Sequence, residues 1–167
     1  MEIANASLLD EGTAAAEAVT LAHAVGSVSD GNLLLVDADT HPQTLDVLKT
    51  RMEPLGIAMV VAPVGELLAR ATAPGGSERP FALLISNPGS SGAVRSIRAE
   101  VDAAHAAKLL VIVATDPLAA VLMESAGAQG ADVVVGSSQR FGVPMGNGGP
   151  HAAFMATRDA FKRSLPG

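Results

Sequence analysis

Six short runs of continuous apolar residues recur along the chain: Asn32 to Val36, Ile57 to Val61, Phe81 to Ile85, Leu109 to Val113, Asp132 to Val135 and His151 to Ala156. A strand with one face in water alternates apolar and polar residues, whereas a strand apolar at nearly every position is buried on both faces. Between the runs lie stretches with helical periodicity. Residues Asp10 to Val25 place Ala15, Ala18, Leu21, Ala22 and Val25 along one face, and Ala93 to Ala107 places Val94, Ile97, Val101 and Ala104 opposite Arg95, Arg98, Glu100 and Asp102. Further helices are expected at Pro42 to Leu55, stopped by Gly56, and at Gly65 to Ala71, Pro117 to Ala126 and Asp159 to Leu165. Strands alternating with helices predict an α/β fold, a mostly parallel sheet with helices on both faces. No repeat, low-complexity segment or linker interrupts residues 1–167, so a single domain is expected.

Composition agrees with that fold and removes several functions. With four Phe and no Trp or Tyr, the core must be built from Ala, Val, Leu and Ile, which suit close helix-on-sheet layers. A net charge of −6 and the lack of a basic stripe argue against a nucleic-acid surface. Without cysteine there is neither a disulfide nor a thiolate site. The longest apolar run, Leu109 to Ala114, is too short to cross a bilayer, and Glu2, Asp10, Glu11 and Glu17 near the start are the opposite of a targeting peptide. A cytoplasmic protein is expected, or a mitochondrial matrix protein in a eukaryote.

In open parallel sheets, sites form in the loops at the carboxyl ends of the strands. Here those loops are DADTHP, SNPGSSG, ATDP and SSQRFGVPMGNGG. Asp37, Asp39 and His41 alternate in the first and have the chemistry of a divalent-metal set, but a turn leading into a helix uses the same residues, and no metal is expected. Ser137 or Ser138 with His151 and Asp116 offers the residue types of a hydrolytic triad, yet no G-x-S-x-G elbow surrounds either serine. The helix opening at Asp10 presents free N–H groups of the kind that cradle phosphate. Asp10 and Glu11, however, put two carboxylates where the anion would lie, which favours plain capping.

The stretch Gly130 to Phe154, GADVVVGSSQRFGVPMGNGGPHAAF, passes from strand through a glycine-rich loop to strand. Glycine there permits positive φ and lets backbone N–H groups approach an anion or a neighbouring chain. Together with ASLLDEGTAAAEA and DADTHPQTLDVLKTR, this stretch resembles the N-terminal half of the glycine cleavage system P-protein family, the pyridoxal-phosphate-dependent glycine dehydrogenases (decarboxylating). The resemblance runs over nearly the whole chain. It implies part of the large domain of an aminotransferase-like, fold type I enzyme, truncated to the central part of that half.

The same resemblance implies where cofactor-binding residues would fall. In H-A-A-K-L-L-V-I-V-A-T-D, counted from His105, the place of the aspartate that pairs with the pyridinium nitrogen falls on Ala114, with Asp116 two residues late as the alternative. The place of the Schiff-base lysine falls on Gln139, anchored by Phe141, Pro144 and Gly148-Gly149-Pro150. An amide cannot form an imine, and Lys49, Lys108 and Lys162 lie elsewhere in the pattern. The resemblance therefore implies no catalytic residue on this chain, a silent half paired with a C-terminal half that holds the pyridoxal phosphate, and the lipoyl H-protein as partner of the complete system. Gly146, Gly148, Gly149 and His151 are expected to act in trans on the partner half's cofactor, the alternative being a tight turn packed within its own domain. A free-standing, non-catalytic binding or scaffold module is the competing reading of the chain as a whole.

Overall fold

The computed structural model describes residues 1–28, 30–144, 146–149 and 151–166. Seven strands form one sheet: β1 (Ile3–Leu8), β2 (Leu33–Asp37), β3 (Ala58–Ala62), β4 (Pro80–Ser86), β5 (Leu110–Ala114), β6 (Val133–Ser137) and β7 (Ala153–Thr157), in the spatial order β1-β7-β6-β5-β4-β2-β3. The pairs from β3 through β2, β4 and β5 to β6 are parallel, while β7 runs antiparallel to both β6 and β1. The expected α/β architecture is the one observed.

Side chains alternate across the pleat, so each strand feeds two cores. Leu34, Val36, Leu84, Ile112, Val133 and Val135 face one layer, with α1 (Glu11–Val25) and α2 (Pro42–Met52). Leu33, Leu35, Leu83, Ile85, Val111 and Val113 face the other, with α3 (Val64–Thr72) and α4 (Arg98–Ala106). Continuous apolar strands follow directly from having a helix layer on each side. Helix α1 goes further than its expected one-sided stripe. Ala14, Ala15, Ala16, Ala18, Val19, Leu21 and Ala22 are all buried, because the sheet covers one side and α2 another. Alanine is the residue that permits such close approach while favouring helix.

Four elements differ from the expectation. Strand β1 was not foreseen: IANASL carries little apolar alternation, and it is a strand because it pairs with β7 at the sheet edge, Ile3 opposite Thr157 and Asn5 opposite Met155. Helix α4 starts at Arg98, not at Ala93. Asn87 Nδ2 donates to the Arg95 carbonyl (2.8 Å) and Gln129 Oε1 accepts from the Ile97 N–H (2.7 Å), so backbone groups that a helix would use are held by side chains distant in sequence. The Pro117 to Ala126 helix shrinks to α5 (Ala119–Leu122). Asp116 Oδ1 accepts from Leu118 N–H (3.0 Å), and Val121 and Leu122 are 78% and 83% exposed, leaving the turn without the packing that extends a short helix. The last segment, Asp159–Ser164, is a 3-10 helix.

Candidate functional site

The carboxyl ends of β2, β4, β5 and β6 open into one cleft of about 850 Å³, closed on one side by the first turn of α1. Its walls include Asp10 and Glu11, His41 and Thr44, Ala114 and Asp116, Gln139 and Arg140, and His151. Strand topology produces this gathering, since every parallel strand delivers its following loop to the same edge.

The loops after β2 and β4 are stitched together. Asp39 accepts from the Ser91 hydroxyl (2.7 Å) and the Ser91 N–H (2.8 Å), which holds its carboxyl below the usual range. His41 Nδ1 lies 3.2 Å from Ser90 Oγ. Burial pushes the Asp37 carboxyl up, countered by the Asp39 N–H (3.1 Å) and by Arg95 at 3.5 Å. Asp37, Asp39 and His41 thus spend their polar atoms on the turn and the neighbouring loop. Among the described residues, no group of three His, Asp or Glu is placed to hold a metal ion. The stitching depends on Gly89, where an added Cβ would lie 2.3 Å from Asp39 Oδ2 and 2.5 Å from its carbonyl oxygen. Gly89→Ala is therefore expected to cost about 1–3 kcal/mol, the usual penalty of forcing atoms into a filled space, read as a lowered midpoint in urea unfolding. An unchanged midpoint would show that the two loops part without loss.

At the first turn of α1, Asp10 accepts from the Thr13 N–H (2.7 Å) as the N-cap. Burial opposes its charge, but the Thr13 bonds and the nearby His151 outweigh it and the carboxyl is held low. Glu11 is different. Burial pushes its carboxyl up, His41 opposes this, and Asp116 and Asp10 reinforce it.

On the far wall, Ala114 ends β5 and Gln139 follows β6, so the two places singled out in the sequence meet in this cleft. Asp116 is bound to Arg140 (Nε to Oδ2, 2.6 Å) and to the Leu118 N–H. Asp116, Ser137 and His151 share the cleft, but the serine hydroxyls and Asp116 are bonded to other groups: Ser138 Oγ donates to the Ala152 carbonyl (2.5 Å), Ser137 Oγ accepts from the Gln139 N–H (3.3 Å) and Asp116 pairs with Arg140. His105 stands at the opposite edge of the sheet. Its Nε2 lies 2.8 Å from the buried Asp132, which also accepts from Arg158 (2.7 Å) and the Val111 N–H (2.8 Å).

The glycine-rich loop divides. His151 reaches the cleft wall, whereas Gly146, Gly148 and Gly149 do not line it. All three glycines have positive φ, at 50°, 109° and 64°, and a Cβ on Gly148 would meet nothing within 4 Å. Pro150 lies outside the described residues. Asp132 gained no role from the sequence, because the partners that define it, His105, Val111 and Arg158, are distant along the chain.

Pyridoxal phosphate, which the resemblance implies, needs an amine for its aldehyde and an anion-friendly helix terminus for its phosphate. Among the described residues, no lysine lines the cleft. Lys49 is exposed in α2, Lys108 precedes β5 at the amino edge, and Lys162 pairs with Asp159 at 3.0 Å. Carboxylates of Asp10 and Glu11 occupy the helix terminus. These residues do not fit the covalently held cofactor.

The family model described as glycine cleavage system P-protein matches residues 1–167. Glycine dehydrogenase (decarboxylating) of Gluconobacter oxydans is 56% identical over the whole chain, and that of Cereibacter sphaeroides 52%. The chain spans 17% and 16% of their lengths. A crystal structure of glycine decarboxylase (P-protein) of the glycine cleavage system, in inhibitor-bound form, superposes with a TM-score of 0.85 at 38% identity, covering all of this chain and 37% of that one. Cystathionine gamma-lyase from Lactobacillus plantarum shares the fold, with a TM-score of 0.72 at 18% identity over 97% of this chain and 40% of that one. The match along its full length, in sequence and in superposed structure alike, means that this chain belongs to the glycine cleavage system P-protein family.

Proposed function

We propose that residues 1–167 form one partial large domain within the catalytically silent N-terminal half of a glycine dehydrogenase (decarboxylating). The complete protein would decarboxylate glycine and pass the aminomethyl group to the lipoyl H-protein, with pyridoxal phosphate held by the C-terminal half. The observation that carries this reading is the cleft itself: the strand ends that would present an acid and an amine to the cofactor present Ala114 and Gln139, and among the described residues no lysine stands on its walls. What this chain would supply is a rigid sheet and the loop containing Gly146, Gly148, Gly149 and His151, directed at the partner half's cofactor. The open space beyond Gly148 supports a loop that projects outward over one packed inside its own domain. With no helix among the described residues long and apolar enough to cross a membrane, a cytoplasmic setting is consistent with this role.

Borohydride reduction of the full-length protein followed by peptide mass mapping tests the assignment. The reduced cofactor is expected on a lysine outside residues 1–167. A phosphopyridoxyl adduct on Lys49, Lys108 or Lys162 would overturn it.

A further inference from the structure

The glycine-rich loop leaves β6 through a short turn, Ser138–Phe141, that is tied at its foot. The Ser138 N–H (2.8 Å) and Ser138 Oγ (2.5 Å) both donate to the Ala152 carbonyl, which joins the two ends of the loop. The Gly142 N–H donates to the Gln139 carbonyl (3.1 Å) and closes the turn, with Gly142 at a φ of 95°. Bonds between the two ends of a loop close it without setting its tilt against the sheet. A sideways tie comes from Arg140, whose Nε donates to Asp116 Oδ2 at 2.6 Å.

Asp116 is a firmly seated partner. Its Oδ1 accepts from the Leu118 N–H (3.0 Å), and Thr115 beside it donates its N–H to the Val135 carbonyl (2.9 Å) and its hydroxyl to the Asn87 carbonyl (2.7 Å). The strand ends are close-packed here, since a Cβ added to Gly136 would lie 2.9 Å from Phe154 Cζ. Of the three carboxylates on the cleft walls, Asp10, Glu11 and Asp116, it is Asp116 that Arg140 meets; Asp10 is engaged by the Thr13 N–H, and His41 lies on Ser90 Oγ. Among the described residues, Arg140 is the one lysine or arginine on those walls. With side chains 60% and 27% exposed, the pair adds little to global stability, so its consequence is the direction in which the turn points.

We infer that the Arg140–Asp116 ion pair positions the glycine-rich loop, setting the direction in which Gly146, Gly148 and Gly149 face the partner half's cofactor. The inference rests on the reading that this loop acts in trans. Both residues are positioning residues: Arg140 acts through Asp116, joining the loops that follow β5 and β6 beside the places held by Ala114 and Gln139.

In the full-length protein, Arg140→Gln, Asp116→Asn and the double variant are compared with the parent by the pyridoxal phosphate dissociation constant, by hydrogen exchange at the amides of residues 138–142 in the cofactor-free protein, and by the urea midpoint. Each single variant is expected to weaken retention about three- to tenfold, within the range of coupled neighbours, and to speed exchange by about the same factor while the midpoint stays near the parent's. The double variant is expected to be no weaker than the singles, because either change already breaks the pair. Unchanged retention or unchanged exchange in the singles overturns the inference, as does a midpoint that falls in step with retention. Additive losses, or a loss with Arg140→Gln alone, also overturn it, since Arg140 would then act on the partner half without Asp116. The underlying reading fails separately: if Gly148→Val and Gly149→Val leave retention at the parent value, the loop does not act in trans, whereas weakening by the valine variants without weakening by the ion-pair variants sinks only the pair's role.

Discussion

Asp132→Ala is expected to remove about 3 kcal/mol of stability, the low end of what breaking a buried charge pair costs, since Arg158 and His105 are partly solvated and recover water. Asp132 is 1% exposed and bonds in three directions: to Arg158 beyond β7, to His105 on α4 and to the Val111 N–H on β5. Its own carbonyl accepts from Thr157 Oγ1 at 2.8 Å. One carboxylate therefore joins β5, β6, β7 and α4 at the amino edge of the sheet. Against a usual total of about 5–15 kcal/mol, such a loss is large. Asp132→Asn keeps an acceptor for the Val111 N–H while giving up the charge, and a smaller loss is expected. Urea unfolding gives the magnitude, and hydrogen exchange gives the place, with protection lost first at β5, β6 and β7. Equal midpoints for the parent and Asp132→Ala would mean that strand pairing alone holds this edge.

Asp132 also shows where sequence reading stops. The sheet was legible because each central strand is apolar at nearly every position, a pattern forced by helices on both faces. The α1 cap was legible because its partner, Thr13, is three residues away. By contrast, α4 loses its expected first turn to Asn87 and Gln129, and β1 exists only because β7 lies beside it. Nothing local in either segment reports those partners. The site divides in the same way. Ala114 and Gln139 were singled out by the resemblance, counted from His105 and from the Phe141 and Pro144 anchors, and topology brings them to one cleft. Thr44 looked like an ordinary helix residue, and only the folded chain buries it against α1, with its hydroxyl unpartnered among the described residues.

The glycine-rich loop carries the second large effect. Gly148 and Gly149 sit at φ of 109° and 64°, which β-branched side chains strongly resist, so valine at either position must displace the backbone. If the loop presents N–H groups to the partner half's phosphate, that displacement leaves hydrogen bonds to an anion unmade. Gly148→Val and Gly149→Val in the complete protein are then expected to weaken pyridoxal phosphate retention by about 1–3 kcal/mol, roughly 5- to 150-fold in the dissociation constant measured by dialysis and absorbance. Gly149→Asn provides the control. Asparagine tolerates the left-handed region that Gly149 occupies, so the N–H groups keep their direction and retention is expected to stay near the parent value. His151→Ala separates the ring from the backbone: it is expected to reduce retention less than either valine variant, because His151 stands on the wall of its own cleft as well as beside the loop. Should both valine variants hold the cofactor as tightly as the parent while only thermal stability falls, the loop is a structural turn and contributes nothing to the partner's site.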